Sequence, residues 1–260
     1  MSINKYKFLE KLSSGSFGFV YKGIHERTKE FVAIKVEPRN SETNSLKHEA
    51  KIYQFLAGIR GIPSLKWFGF DKNCTYIVLP FFEESLKNRK KRLEKFSLKD
   101  VCILMNSTLL VLREIHKHHM VHCDIKPDNL MINNNDLNMV YIIDFGFTRR
   151  YSCEDKKTNS SIGTLDYMSR RVHEKYQPSY VDDIESLFYV SLFLYYKIIP
   201  WSTQTLPDII KRQKHTLFYD TRKLPIFFQN FSKLLHSPLI ETDMDSWYEK
   251  LFILFQSGQK

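Results

Sequence analysis

The chain has 260 residues, of which 43% are hydrophobic and 26% charged, so it can bury a sizeable core in one large domain or two lobes. Its net charge of +10 indicates acidic partners, without distinguishing nucleotide, acidic protein, nucleic acid or anionic membrane. The longest mainly apolar stretch, Leu187 to Tyr196, is too short to cross a bilayer and is expected to be a buried helix. Four cysteines without CxxC or metal-ligand spacing, and a first segment without an apolar signal core, favour an intracellular protein with reduced thiols.

Residues 6 to 37 alternate like a strand meander interrupted by SSGSFG. Gly15 and Gly18 in this turn would let backbone amides approach a phosphate closely, although a plain hairpin turn is the alternative. Lys35 ends VAIK, in an otherwise apolar strand. Because an unpaired buried charge is costly, this lysine needs an anionic partner.

A helix is predicted over Thr43 to Leu56, with Glu49 on it and four apolar positions at Leu46, Ile52, Tyr53 and Leu56. Glu49 is either the partner of Lys35 or part of a solvated helix face. Thr75 to Leu79 is predicted to be a strand, followed by Pro80-Phe81-Phe82.

Residues 87–95 carry six positive charges and one negative charge. A solvated helix face is the ordinary interpretation of such a run, and nuclear targeting or partner docking is the alternative. Ser97 and Asp100 next form a capping box before a long helical apolar stripe. A last amphipathic helix is predicted over Trp247 to Phe255.

The stretch from Val121 to Gly146 concentrates polar residues around two short apolar runs, 130–132 and 140–143, which predict a hairpin. A hairpin of this kind brings Asn129 and Asp144 together, and their hard oxygen ligands suit Mg²⁺ beside a phosphate. Asp124 is available to accept a proton, and Lys126 to neutralise a transferring phosphoryl group. The alternative is an Asp- and Asn-rich turn between core strands.

HCDIKPDN, followed fifteen residues after Asn129 by DFG, resembles the catalytic loop and metal-binding motif of the protein kinases. SSGSFGFV and VAIK resemble their glycine-rich loop and its lysine strand. A lysine two residues after the aspartate, here Lys126 after Asp124, resembles the catalytic loop of the serine/threonine kinases. The GIP turn at 61–63, FSLK, PWS and KRQK resemble the casein kinase 1 superfamily, which includes the vaccinia-related kinases.

The resemblance implies an α+β fold, a bilobal kinase domain over 1–260. It has a small antiparallel β lobe with one main helix over 1–80, a hinge at 80–83, and a larger, mainly helical lobe over 84–260. Asp183 in VDDIES matches the aspartate that, in kinases, holds the catalytic-loop backbone.

The resemblance also implies the roles of the site residues. Lys35 would pair with Glu49 and the ATP phosphates, Asp124 would receive the hydroxyl proton with Lys126 beside it, and Thr164 would contact Asp124. Asn129 and Asp144 would hold Mg²⁺. The implied ATP pocket consists of the glycine-rich loop, an apolar sandwich, a gatekeeper and the hinge: Leu12, Ser13, Ser14, Gly15, Ser16, Phe17, Gly18, Val20, Ala33, Lys35, Leu79, Pro80, Phe82 and Met131.

The implied reaction transfers the γ-phosphoryl group of ATP, with Mg²⁺, to serine or threonine hydroxyls of acidic proteins. We expect a monomer in the cytoplasm, and in the nucleus if the 87–95 run acts in targeting. Ser13 and Cys123, which replace a family glycine and arginine, leave open a pseudokinase that scaffolds partners. A basic nucleic-acid-binding module is the other alternative, although no nucleic-acid motif is visible and nucleic acid is not the expected main partner.

Two departures from the family pattern affect the expected regulation and substrate choice. The activation segment, by its position after DFG, comprises residues 147–169. Cys123 cannot clamp a phosphate on this segment as arginine would, so activity without that phosphorylation is expected. Asp166 stands where casein kinase 1 has an arginine of a phosphate-reading cluster, of which Arg149 and Lys214 are retained. Weak dependence on a phosphorylated substrate residue is therefore expected, unless Asp166 pairs with Arg170 or Arg171.

Overall fold

The computed structural model describes residues 2–15, 18–39, 45–93, 95–133, 136–154, 156–196, 198–236 and 243–259. The chain divides into two compact units. The first unit comprises 1–83 and 143–146, and the second comprises 84–142 and 147–260. Among the described residues, no helix combines the length and apolarity that a membrane span requires.

In its described residues, the first unit is a six-stranded antiparallel sheet with one main helix, α1, over Ser45–Phe55. The strand order is β1-β2-β3-β4-β6-β5. The strands are β1 Ser2–Ile3, β2 Tyr6–Gly15, β3 Gly18–His25, β4 Phe31–Pro38, β5 Trp67–Phe70 and β6 Cys74–Pro80.

Strand β4 shows why this sheet has a core face and a polar face. Val32, Ile34 and Val36 are buried in one hydrophobic cluster. Side chains alternate along a strand, so Ala33 and Lys35 point to the opposite face. The lysine is thereby presented away from the main core of the unit.

Helix α1 is held at its start by Glu37 from β4. The Glu37 carboxylate accepts hydrogen bonds from the backbone N–H of Ser45 at 3.0 Å and of Leu46 at 3.1 Å. These bonds satisfy amides that a helix leaves without intrahelical partners. The predicted start at Thr43 lies outside the described residues, and the helix ends at Phe55, one residue before the predicted end. Glu49 is 2% exposed, so the solvated-face alternative is wrong.

The second unit is mainly helical. Its helices are α2 Leu86–Leu93, α3 Leu98–Lys117, α4 Arg170–His173, α5 Tyr180–Tyr195, α6 Pro207–Tyr219, α7 Ile226–His236 and α8 Met244–Ser257. Helix α5 is buried along almost its whole length and contacts α3 and α7, as its apolar sequence predicts. The final helix, α8, is longer than the predicted Trp247 to Phe255 and contacts α3.

Two small sheets accompany these helices in the part of the second unit that the structure describes. One contains β7 Glu84–Ser85, β9 Leu130–Ile132 and β10 Tyr141–Ile142, in the order β10-β9-β7, so the predicted hairpin is present. The other pairs β8 Met120–Val121 with β11 Arg149–Arg150. An antiparallel β unit with one main helix and a mainly helical unit together confirm the predicted α+β class.

The basic run forms α2, and its cations are mostly paired. Lys90 is 5% exposed and donates to the carbonyl of Leu194 at 2.9 Å, so the expected solvated face is wrong at this residue. Lys87 pairs with Asp128 at 2.8 Å, and Arg92 with Glu84 at 3.0 Å. At the start of α3, the Ser97 hydroxyl accepts from the Asp100 N–H at 3.1 Å, which is one of the two bonds of the predicted capping box.

Candidate active site

An ion group in the first unit joins three separate segments. Nζ of Lys35 on β4 lies 2.7 Å from Oε1 of Glu49 on α1 and 2.9 Å from Oδ1 of Asp144. Burial alone would lower the pKa of Lys35, but attraction by Asp144 and Glu49 outweighs it, so this pKa is raised. Burial raises the pKa of Glu49 although Lys35 opposes the shift. The lysine is therefore held as a cation between two carboxyl groups.

Tyr53 positions the segment that carries Asp144, a role that its sequence pattern did not reveal. Its hydroxyl accepts a hydrogen bond from the Asp144 N–H at 3.2 Å, and its ring meets Phe145 edge-on at 4.9 Å. Burial first, and the Glu49 charge second, raise the pKa of Tyr53 well above its ordinary value, so the hydroxyl remains protonated. The pattern identified Tyr53 only as an apolar helix position.

The glycine-rich strands run beside this ion group. Ser13 pairs with Val20, and Gly15 with Gly18, across β2 and β3. Gly18 has φ +128°, and a Cβ there would lie 2.0 Å from the carbonyl oxygen of Val36, so the position requires glycine. Ser16 and Phe17 lie outside the described residues.

A cavity of about 150 Å³ lies within the first unit. Its lining joins the glycine-rich strands to the ion group and includes Ser13, Gly18, Val20, Lys35, Glu49 and Asp144. Since whole-ligand pockets span roughly 300–1,000 Å³, this volume suits a phosphate-sized group.

The other predicted pocket residues occupy different environments. Ala33 lies on the Lys35 face of β4 and is opposite Leu79 on β6. Met131 belongs to β9 in the second unit. Leu79 and Phe82 are buried, Val20, Ala33, Pro80 and Met131 are half-buried, and Leu12, Ser13 and Ser14 are exposed.

The second unit contains a hydrogen-bond network around Asp124, which is 4% exposed. Thr164 Oγ1 donates to Asp124 Oδ1 at 2.7 Å, and Lys126 Nζ lies 2.7 Å from Asp124 Oδ2. Lys126 also donates to Thr164 Oγ1 at 2.9 Å. The carboxylate is thus fixed in one orientation, with a hydroxyl and a cation beside it.

Asn129 completes this network and has the chemistry of a magnesium ligand. Its Nδ2 donates to the Asp124 carbonyl at 2.9 Å and to Asp124 Oδ2 at 3.1 Å, which leaves the amide oxygen for a cation. Asp144 offers a carboxylate whose side chain is 33% exposed. One amide oxygen and one carboxylate fit Mg²⁺. The two residues belong to different units, so their predicted proximity stays a prediction.

Asp183 on α5 holds the backbone of the same loop. Its carboxylate accepts from the N–H of His122 at 2.7 Å and of Cys123 at 2.9 Å. Cys123 has φ +69°, an unusual conformation for a residue with a side chain. Burial, followed by the charge of Asp183, raises the pKa of Cys123 well above its ordinary value, so its sulfur remains a thiol.

Gly163 lets the segment that carries Thr164 pass close to this loop. It has φ +101°, and a Cβ there would lie 2.6 Å from the carbonyl oxygen of Cys123. Further along, Leu165 and Met168 accept hydrogen bonds from Lys214 Nζ at 2.6 and 2.7 Å. Lys214 is fully buried, so its expected place in an exposed phosphate-reading cluster is wrong.

Comparison with known families agrees with this arrangement. The family model described as protein kinase domain matches residues 6–244. The chain therefore belongs to the protein kinase family, and its activity is that of a phosphotransferase acting on proteins. Members of this family generally use ATP and Mg²⁺.

Proposed function

We propose that the protein is a serine/threonine kinase of the casein kinase 1 superfamily, which transfers the γ-phosphoryl group of ATP to protein hydroxyls. The observation that supports it best is the bond pattern of Lys126. This lysine contacts both Asp124 and Thr164, and its position two residues after the aspartate is the one that resembles serine/threonine kinases.

In this proposal the chain's own residues position the reactants and stabilise charge. Asp124 receives the proton of the attacking hydroxyl, and Lys126 neutralises charge on the transferring group. Lys35, oriented by Glu49, binds the phosphates of ATP. Asn129 and Asp144 would hold Mg²⁺, which supplies further charge neutralisation on those phosphates.

A non-catalytic scaffold is the second candidate, because Ser13 and Cys123 depart from the family pattern. Ser13 nevertheless keeps its strand pairing with Val20. The Cys123 N–H is held by Asp183, as described above. These contacts favour the catalytic proposal, because both substituted residues keep backbone hydrogen bonds to neighbouring segments.

Matched peptides that differ only in the acceptor test the residue specificity. We expect the purified protein, given Mg²⁺ and ATP, to phosphorylate serine and threonine peptides of acidic sequence and to leave the tyrosine peptide unmodified. Equal rates on tyrosine would contradict the serine/threonine assignment. No transfer to any peptide or to an acidic protein such as casein would favour the scaffold.

We also propose activity without phosphorylation of the activation segment. Cys123 offers no cation for a phosphate, and the segment is already pinned by backbone bonds. Thr158 N–H donates to the Lys175 carbonyl at 2.7 Å, and Gln177 N–H donates to Lys156 at 2.8 Å. Phosphatase-treated protein should therefore keep its rate within about twofold, whereas a large drop would contradict the proposal.

Acidic substrates that need no prior phosphorylation are the substrate class we propose. Arg149 is exposed, but Lys214 is buried and Asp166 adds a negative charge. Lys214 and Lys87 lower the pKa of Asp166 against the larger effect of burial, which raises it. Arg170 instead pairs with Glu185 at 3.0 Å.

Peptides with and without a phosphoserine three residues before the target would decide this point. A primed-to-unprimed rate ratio below roughly tenfold is expected, since one tenfold step corresponds to about 1.4 kcal/mol. A larger ratio would contradict the proposal. Asp166→Arg should raise the ratio.

The proposal places the protein inside the cell as a monomer. Four cysteines without a disulfide support a reducing environment. The cations of α2 are mostly paired, which argues against a nucleic-acid surface or a nuclear signal in residues 87–95.

A further inference from the structure

Three buried side chains connect the last helix to the catalytic loop. The Tyr248 hydroxyl on α8 lies 2.5 Å from Nδ1 of His116, at the end of α3. Nε2 of the same ring lies 2.9 Å from Oδ2 of Asp183 on α5. All three residues are at most 1% exposed. The contacts are therefore shielded from water, which would otherwise compete for each bond.

The proton positions in this row of hydrogen-bonded side chains follow from Asp183 at one end and Tyr248 at the other. A carboxylate only accepts hydrogen bonds, so Nε2 of His116 carries the hydrogen that Asp183 receives. Burial first, and the Asp183 charge second, raise the pKa of Tyr248 well above its ordinary value. The hydroxyl thus keeps its proton and can donate to Nδ1 of His116, while Nε2 of the same ring donates to Asp183.

The Asp183 carboxylate performs two tasks at once. Its Oδ2 accepts from both His116 and the His122 N–H, while its Oδ1 accepts from the Cys123 N–H. These amides immediately precede Asp124, and Cys123 has the positive φ noted above. A rotation of the Asp183 carboxylate would consequently displace the backbone that presents Asp124.

We propose that Tyr248 is a positioning residue for the catalytic loop, acting through His116 and Asp183. This inference rests on the proposed role of Asp124. Tyr248 lies beyond residue 244, where the match to the protein kinase domain ends. Helix α8 therefore contributes to the orientation of the reacting groups, besides covering apolar surface.

The surroundings of His116 make this proposal testable with a small change. Its ring stacks on Tyr180 at 4.7 Å, and Tyr180 stacks on Tyr151 at 4.2 Å. These contacts hold the imidazole in place from another side. Removing only the Tyr248 hydroxyl should consequently leave the ring seated, and should take away the bond to its Nδ1.

Tyr248→Phe should lower kcat by roughly three- to tenfold, the usual range for a residue that acts through a network. The KM for ATP should stay within about twofold, because phosphate binding is assigned to Lys35 and its partners. Amide hydrogen exchange at His122 and Cys123 should become faster. An unchanged kcat with unchanged exchange, even with a lower Tm, would overturn the proposal.

His116→Phe provides the second arm. A phenylalanine ring can keep the stacking on Tyr180, but it neither donates to Asp183 nor accepts from Tyr248. If the two residues act in series, adding Tyr248→Phe to His116→Phe should cause no further loss in kcat. Losses in kcat that multiply in the double variant would show independent effects and contradict the relay.

Tyr76→Phe is the matched control. Tyr76 is 1% exposed, and its hydroxyl donates to Asp71 at 2.6 Å within the first unit. This variant should lose stability and keep both kcat and loop exchange. The exchange measurement needs no turnover, so it decides the relay even if the wild-type protein transfers no phosphate, a result that would refute the proposed function alone.

Discussion

Two enclosed lysines, one in each unit, have opposite electrostatic properties. Lys35 is 15% exposed and lies between the carboxylates of Glu49 and Asp144, which raise its pKa. Lys214 is fully buried and donates to two neutral carbonyls, and burial lowers its pKa to about 7. Burial favours the neutral amine at both positions, so the difference comes from the neighbours.

This contrast separates two uses of the same side chain. Lys35 is a permanent cation on a polar sheet face, as phosphate binding requires. Lys214 acts as a hydrogen-bond donor that fixes the segment after Thr164, and Glu185 and Asp166 only partly offset its burial. The presence of a lysine in a motif therefore does not establish that it carries a charge at the surface, because its partners and its burial decide this.

Lys35→Met should produce the largest change in stability. It leaves the buried Glu49 beside Asp144 without a cation, and removing one member of a buried pair costs about 3–5 kcal/mol. Because the Asp144 side chain is 33% exposed, we expect a loss in unfolding free energy near the lower end of this range. Urea unfolding would measure it, with Lys66→Met, which breaks an exposed pair with Glu30, as a control expected to lose less than about 1 kcal/mol.

Lys214→Met should instead change how stability depends on pH. The folded pKa lies below that of the unfolded chain, so the unfolded state binds more protons between about pH 7 and 10.5. The unfolding free energy of the wild-type protein should then rise with pH in this window by up to about 1.4 kcal/mol per unit relative to the variant. The pKa of the adjacent His173, lowered to about 4 mainly by burial, affects only more acidic conditions.

Measuring the unfolding free energy of Lys35→Met over the same pH range sharpens the comparison. A raised lysine pKa gives stability that is fully present below the unfolded pKa of 10.5. Because Lys35→Met also removes the cation that opposes the raised pKa of Glu49, the scan uses Glu49→Gln as the background, in which the Lys35→Met deficit should stay constant from pH 7 to 10. A slope for Lys35 together with none for Lys214 would reverse our assignment of the two charges.

Asp166→Asn should have the smallest effect. Asp166 is one of two carboxylates that raise the pKa of Lys214 against burial. Removing this charge should lower the pKa of Lys214 further. The pH range over which the stability of the protein rises should then begin below pH 7. An inflection that stays in place would show that Asp166 does not act on Lys214.

The sequence predicted well those features that depend on local pattern. The VAIK strand, the capped helix α3 and the hairpin after Asn129 all follow from period, caps and turn residues. The motif pair HCDIKPDN and DFG also identified the family. Bounds were less accurate for the final helix, which begins at Met244 and ends at Ser257, beyond the predicted bounds of Trp247 and Phe255.

Apart from Lys35 and Glu49, the sequence did not predict which charged residues are buried. Lys90 and Lys214 lie in basic helices whose composition indicates a solvated face, yet each donates to carbonyls from distant segments. The roles of Tyr53 and Tyr248 were hidden for the same reason. Such partners are 46 to 132 residues apart in the chain and are brought together only by packing.

Turnover by Asp124→Ala tests the central claim most directly, because every proposed role converges on this carboxylate. Wild-type protein should transfer phosphate to an acidic serine peptide, and the variant should be slower by roughly 10²- to 10⁴-fold, the usual contribution of a positioned base. Its affinity for ATP should change little, since Asp124 is not assigned to bind the nucleotide. Near-normal phosphorylation by Asp124→Ala would contradict the assignment of the active site.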